Sequence, residues 1–181
     1  QPCQSPRPSS IDFQTLSAHY VSPLVINTGQ GPAQQVPPTD PRSRTYRGSG
    51  VVDAAIAWIQ GQPKNRPWMA SVSFASAHTP VMQPPQALLS SDPAATSALS
   101  CSNAQAMEQR VLTNLMIEAI DTELGRLLVA TGLASRDGSG QLVYNPQAAN
   151  TMLVILGDNG SLGSSVKLPF DTSRAMGCMA E

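Results

Sequence analysis

The chain has 181 residues, with 11 Lys and Arg set against 12 Asp and Glu, so its formal net charge is −1. That balance removes any general electrostatic case for binding nucleic acid or an anionic lipid surface, and no apolar run approaches the ~20 residues that a membrane span requires. Only 13% of the residues are charged, against roughly 25% in ordinary soluble domains, so part of this surface is expected to lie against more protein. The start, Gln1-Pro2-Cys3-Gln4, has neither a Met nor the charged-then-apolar layout of a signal peptide, and reads as a cut or processed end. Cys3, Cys101 and Cys178 form no C-x-x-C pair and no zinc spacing.

Residues 1–48 are rich in Pro, Ser, Gln and Gly. Gly29-Gln30-Gly31-Pro32 and Val36-Pro37-Pro38-Thr39-Asp40-Pro41 break any helix there. One short apolar piece, Leu24-Val25-Ile26-Asn27, is a strand candidate. The segment is expected to be irregular and to wrap over a core made by residues 49–181.

Ser49 is the expected cap of a helix over residues 51–59, with Val52, Ala55, Ile56 and Ile59 on one face and Gly61 and Pro63 stopping it. The alternation of Trp68, Ala70, Val72 and Phe74 predicts a buried strand over 68–75, which runs into Ser76-Ala77-His78-Thr79-Pro80. Residues 86–103 read as a surface loop with a helical turn at most. The longest helix is predicted over 104–131, with Leu112, Met116, Ile120, Leu124, Leu127 and Leu128 on one stripe. Gly132 ends it as a left-handed cap, and Arg136-Asp137-Gly138-Ser139-Gly140 is a turn. The unbroken apolar run Thr151-Met152-Leu153-Val154-Ile155-Leu156 predicts a central parallel strand, buried on both faces, that ends in Gly157-Asp158-Asn159-Gly160.

Helix, strand, helix, strand implies an α/β fold in which mostly parallel strands form a central sheet flanked by helices. His78 and the pair Asp158 and Asn159 then follow the carboxyl ends of two strands, where open α/β sheets hold ligands. Asp158 and Asn159 offer the hard oxygens that suit Ca²⁺ or Mg²⁺; an ordinary Asx turn is the alternative. His78 can hydrogen-bond an anionic substrate or protonate a leaving group, or serve structure alone. No G-x-S-x-G, phosphate-binding Gly loop or H-E-x-x-H occurs, and no nucleophile is evident in the patterned region.

Three segments together resemble the sulfatase branch of the alkaline phosphatase superfamily. The run from Trp68 to Pro80 is similar to the family's apolar strand and His-x-Pro turn. Asp121-Thr122-Glu123-Leu124-Gly125-Arg126-Leu127-Leu128 is similar to its helix with an Asp-x-x-x-Gly-x-Leu-Leu core. The run from Asn150 to Gly160 is similar to its strand ending in Asp-Asn-Gly.

The resemblance implies a partial alkaline-phosphatase-like sheet and hydrolysis of sulfate esters, or of phosphate or phosphonate esters. It implies a divalent metal, Ca²⁺ above all, with Asp158 and Asn159 as ligands, and His78 against the ester oxygen near the leaving group. It also implies action outside the cytosol. The family nucleophile is a Cys or Ser, converted to formylglycine, followed by x-Pro-Ser-Arg; Cys3-Gln4-Ser5-Pro6-Arg7 has Pro and Ser exchanged and stands too close to the His78 strand. Met176 stands where many members carry a sulfate-binding Lys. The catalytic residue is therefore unassigned, and the chain is expected to be an internal section of a larger hydrolase that associates with the remainder of its parent. A non-catalytic, self-assembling protein with a degenerate core is the alternative.

Overall fold

The computed structural model describes residues 19–21, 23–78, 82–90, 106–145, 147 and 150–158. Among these, two helices and two two-stranded antiparallel sheets follow one another in the order β1 (Leu24–Ile26), β2 (Gln34–Val36), α1 (Arg47–Gln60), α2 (Ala106–Ala130), β3 (Ala134–Arg136) and β4 (Leu142–Tyr144). This is a small mixed α/β arrangement.

The expected central sheet of mostly parallel strands is not formed among the described residues. Residues 68–75 and 151–156 belong to no strand or helix, and the backbone of 68–74 and of 151–158 makes no hydrogen bond with another described residue. The apolar patterns predicted two buried strands that the fold does not contain there. A helix closes its hydrogen bonds within itself, whereas a strand exists only where another strand lies alongside.

The first described residues do more than wrap. His19, Tyr20, Val21, Val36, Ser43, Arg44 and Tyr46 are buried. The β1–β2 hairpin pairs Leu24 with Val36 and Ile26 with Gln34, so the strand expected at 24–27 is present. Its second half turns Val36 inward while Val25 faces out. Asp40 Oδ1 accepts from the backbone N–H of Arg42 at 2.9 Å and caps a short 3₁₀ turn, Pro41–Ser43. Ser43 Oγ then donates to the carbonyl of Val36. Proline and polar residues thus build a stable corner through side-chain-to-backbone bonds.

Helix α1 starts earlier than its sequence signal. Ser49 is the third residue of the helix and not its cap; Tyr46 holds the cap position without a side-chain bond. The N–H of Arg47, one of the donors a helix start leaves without an internal partner, donates instead to the carbonyl of His19 at 2.8 Å. Tertiary contact, not a local cap, sets this end. The face carrying Val52, Ala55, Ile56 and Ile59 is the inward one, as its spacing requires.

Helix α2 matches its predicted span within two residues at each end. Its fully buried line is Leu112, Met116, Ala119 and Glu123, with Leu115 and Leu127 nearly so, while Ile120 and Leu124 are half-covered. The buried stripe is thus turned by about one residue from the predicted one. It is turned because Tyr20, Val21 and Tyr46 pack onto Ala119, with Met82, Leu88 and Leu89 beside them.

The end of α2 is a Schellman motif. Gly132 has φ of 77°, its N–H donates to Val129 O, and Leu133 N–H donates to Leu128 O. The β3–β4 hairpin follows, pairing Ala134 with Tyr144 and Arg136 with Leu142. The predicted turn sits at its tip. Asp137 Oδ1 accepts from Ser139 N, Ser139 Oγ and Gln141 N at 2.7–2.9 Å, and these bonds hold the carboxyl below its usual pKa. Asn145 ties the hairpin back to α2 through Leu133 O and Gly132 O.

Candidate functional site

His78 and Asp158 are the sequence-predicted site residues that fall among the described ones; Asn159 lies outside them, as do Cys3 and Met176. His78 follows the apolar run 68–75 after a turn in which its N–H donates to Ala75 O at 3.0 Å. Its carbonyl accepts a bond from Nε2 of His19 at 3.0 Å, and a carbonyl can only accept, so the His19 proton sits on Nε2. His19 is buried, and its own carbonyl receives the first N–H of α1. One residue therefore anchors both the start of the helix and the backbone of the candidate ligand-contacting histidine. The sequence showed no role for His19, because its partners are 28 and 59 residues away.

Asp158 is exposed after the apolar run 151–156 and makes no hydrogen bond or ion pair with a described residue. No group of three or more His, Cys, Asp and Glu side chains gathers anywhere among the described residues. A Ca²⁺ ion takes about six to eight oxygens, and at this place the described residues offer Asp158 alone. They do not make a calcium site by themselves. With the central sheet absent, the shared ligand-binding edge that would bring His78 and Asp158 together is absent among the described residues too.

The structure assembles a different polar cluster, between α1 and α2. Glu123 is buried and accepts from Ser49 Oγ and from Arg126 Nε, the latter at 2.7 Å. Arg126 reaches on to Asp53 Oδ1 at 2.7 Å and to the carbonyl of Ser49 at 3.3 Å. Burial works against the charge of Arg126, yet its bonds to Glu123 and Asp53 outweigh that and raise its pKa above the usual value. A buried carboxylate with two donors is a satisfied structural group. Only the Glu123–Arg126 spacing of three residues hinted at it in the sequence.

Beside this cluster the Tyr46 hydroxyl shares a 3.0 Å hydrogen bond with Ser76 Oγ, and the Tyr20 and Tyr46 rings meet in a tilted contact, centroids 5.3 Å apart. Tyr20 Oη donates to Gln83 O at 2.6 Å. Residues 76–78 and 82–83 are thereby pinned to the helical pair, which leaves the loop carrying His78 held from both sides.

A cavity of about 400 Å³ opens between α1 and the first apolar run, lined by Val51, Ala55, Trp58, Met69 and Val72 among others. Trp58 and Trp68 meet edge to face at 6.0 Å across its end. It holds no titratable side chain. No helix among the described residues is long and apolar enough to cross a membrane. No protein-family model, curated protein or solved structure matches the chain.

Proposed function

We propose that the chain carries part of the site of a sulfatase-like hydrolase acting on sulfate esters outside the cytosol. The observation that carries this reading is the succession of the His-Thr-Pro turn at 78–80, the Asp-x-x-x-Gly-x-Leu-Leu stretch at 121–128 and the Asp-Asn-Gly turn at 158–160. It rests on these motifs and not on a sheet. Two features of the fold support it. The stretch 121–128 lies inside one continuous helix, and both His78 and Asp158 are exposed, so a ligand can reach them.

In this reading Asp158 and Asn159 contribute two oxygens to a Ca²⁺ ion whose other ligands lie beyond the described residues. His78 contacts the ester oxygen. The bound ion would stabilise negative charge on the sulfate.

Calorimetric titration of the folded chain with Ca²⁺ tests the proposal. Binding that disappears in Asp158→Ala is the expected result. A folded chain that takes up no Ca²⁺ favours either a non-catalytic assembly protein or a section too incomplete to hold the ion. Turnover of an aryl sulfate should stay at background, because no nucleophile is assigned; activity abolished by Cys3→Ala would assign one. Faster turnover of a phosphate or phosphonate ester would move the substrate class.

A further inference from the structure

We propose that His19 is the positioning residue for His78, acting through a closed circuit of three hydrogen bonds that makes the His78 loop and the start of α1 open and close as one unit. The circuit joins three segments far apart in the chain. The N–H of Arg47 donates to His19 O at 2.8 Å. One residue back, the Tyr46 hydroxyl shares its 3.0 Å bond with Ser76 Oγ. Two residues on from Ser76, the carbonyl of His78 accepts from His19 Nε2 at 3.0 Å and returns the circuit to its origin.

Closure of this kind couples the bonds. On its own, the contact between His19 and His78 must bring together residues 59 positions apart, and the entropy lost grows with loop length. With Arg47 already on His19 and Ser76 already on Tyr46, residues 19 and 78 are held near each other and only a few torsions remain to be fixed. Each bond therefore lowers the entropic cost of the next. The setting strengthens the effect, because His19 and Tyr46 are buried and a hydrogen bond broken away from water costs more than one broken at the surface. Tyr20 braces the same unit. Its ring meets that of Tyr46, and its hydroxyl holds Gln83 O on the far side of the loop.

The side chain of His78 stays exposed while its backbone is held. A group that is to contact a ligand needs both freedom to meet it and a fixed base to act from. Local opening is cooperative within such units, so whatever loosens the start of α1 also loosens His78. By linkage, whatever holds His78 steadies the start of α1. The inference rests on the sulfatase-like reading only for what His78 meets; the coupling stands or falls separately.

Native-state hydrogen exchange of the full chain, followed by NMR, tests it through two amides: that of Arg47, bonded to His19 O, and that of His78, bonded to Ala75 O. His19→Leu removes the side-chain bond and leaves the backbone carbonyl of position 19 in place. It should speed exchange about tenfold at His78 and at Arg47 together, while Asn145 N–H in the β3–β4 hairpin, bonded to Leu133 O, is unchanged. His19→Gln keeps an N–H donor near the place of Nε2 and should restore most of the protection at both amides, which filling the space alone would not do. Ser76→Ala cuts the circuit at a half-buried position without touching His19, so it decides the matter even if His19→Leu fails to fold; it should speed exchange at Arg47 about threefold or more. The double-mutant cycle of His19→Leu with Ser76→Ala should show a coupling of about fivefold in the unfolding equilibrium. Strict additivity, a His78 amide that changes while that of Arg47 does not, a glutamine that restores nothing, or an Arg47 amide indifferent to Ser76→Ala would each overturn the proposal. None of these measurements involves Ca²⁺ or an ester, so they are independent of the hydrolase assignment.

Discussion

Helix α2 and the run at 151–156 end in opposite states, although the run is the more apolar of the two. In α2, apolar and polar residues are interspersed, and one line from Leu112 to Leu127 is buried. In the run, five successive apolar residues all remain exposed. Apolar content is therefore a poor guide to burial here. What separates them is where the backbone finds its partners. Helix α2 satisfies its own hydrogen bonds and needs only one covered face, which α1, Tyr20, Val21 and Tyr46 supply. A strand needs a neighbour along each edge as well as cover on each face, and no described residue provides one for the run.

If the contrast is right, substitutions in the helical pair should cost stability and substitutions in the run should not. Leu112→Ala is expected to have the largest effect, a loss of about 3 kcal/mol from a filled site that cannot collapse. Urea unfolding followed by circular dichroism measures it, and a loss below about 1 kcal/mol would mean that the line along α2 is not the core.

Glu123→Ala should come next, at about 2 kcal/mol, because Ser49 and Arg126 would lose their shared acceptor. Discounting is needed since Arg126 is 40% exposed and keeps Asp53. A double-mutant cycle with Ser49→Ala should show coupling between the two sites; strict additivity would argue against a single cluster joining the helices.

Tyr46→Phe should cost about 1 kcal/mol near neutral pH through the lost bond to Ser76. It also carries a pH signature. Burial, reinforced by the Glu123 carboxylate and opposed by the Ser76 hydrogen bond, holds the phenol above its ordinary value of 10.0. The folded state then keeps this proton more tightly than the unfolded state, so the contribution is complete below about pH 10 and is lost as pH rises through the raised folded value. The stability difference between wild type and Tyr46→Phe should accordingly shrink in alkali. A difference that grows with pH would contradict the assignment.

The smallest effect belongs to the run. Val154→Ser should change the stability of the chain by no more than about 0.5 kcal/mol, measured by the same urea unfolding. A loss matching that of Leu112→Ala would show that 151–156 is packed after all, and the contrast would fail.

How far the sequence could be read follows the same division. The long helix, its glycine-capped end and the turn at Asp137 were legible because each depends on residues within a few positions of one another, and the strand at Leu24 because its partner at Gln34–Val36 follows after a short turn. The start of α1 was not, since it depends on His19, 28 residues upstream. The β3–β4 hairpin escaped although its turn was read, because Ala134-Ser135-Arg136 carries no apolar run. The site was legible only as motifs. His78 and Asp158 could be picked out, while the buried pair His19 and Glu123, which organise the surroundings, gave no local signal.

By itself the sequence determined the body of both helices, the strand at Leu24 and the turns at Gly132 and Asp137. These are short-range properties of steric preference, hydrogen bonds within a turn, and apolar period. Only the tertiary structure decided which apolar stretches are covered. It placed His19, Tyr20, Val21 and Tyr46 in the core, rotated the buried face of α2, and left two apolar runs without a partner among the described residues. Burial depends on residues distant in the chain meeting at one place, and no local pattern encodes which of them will.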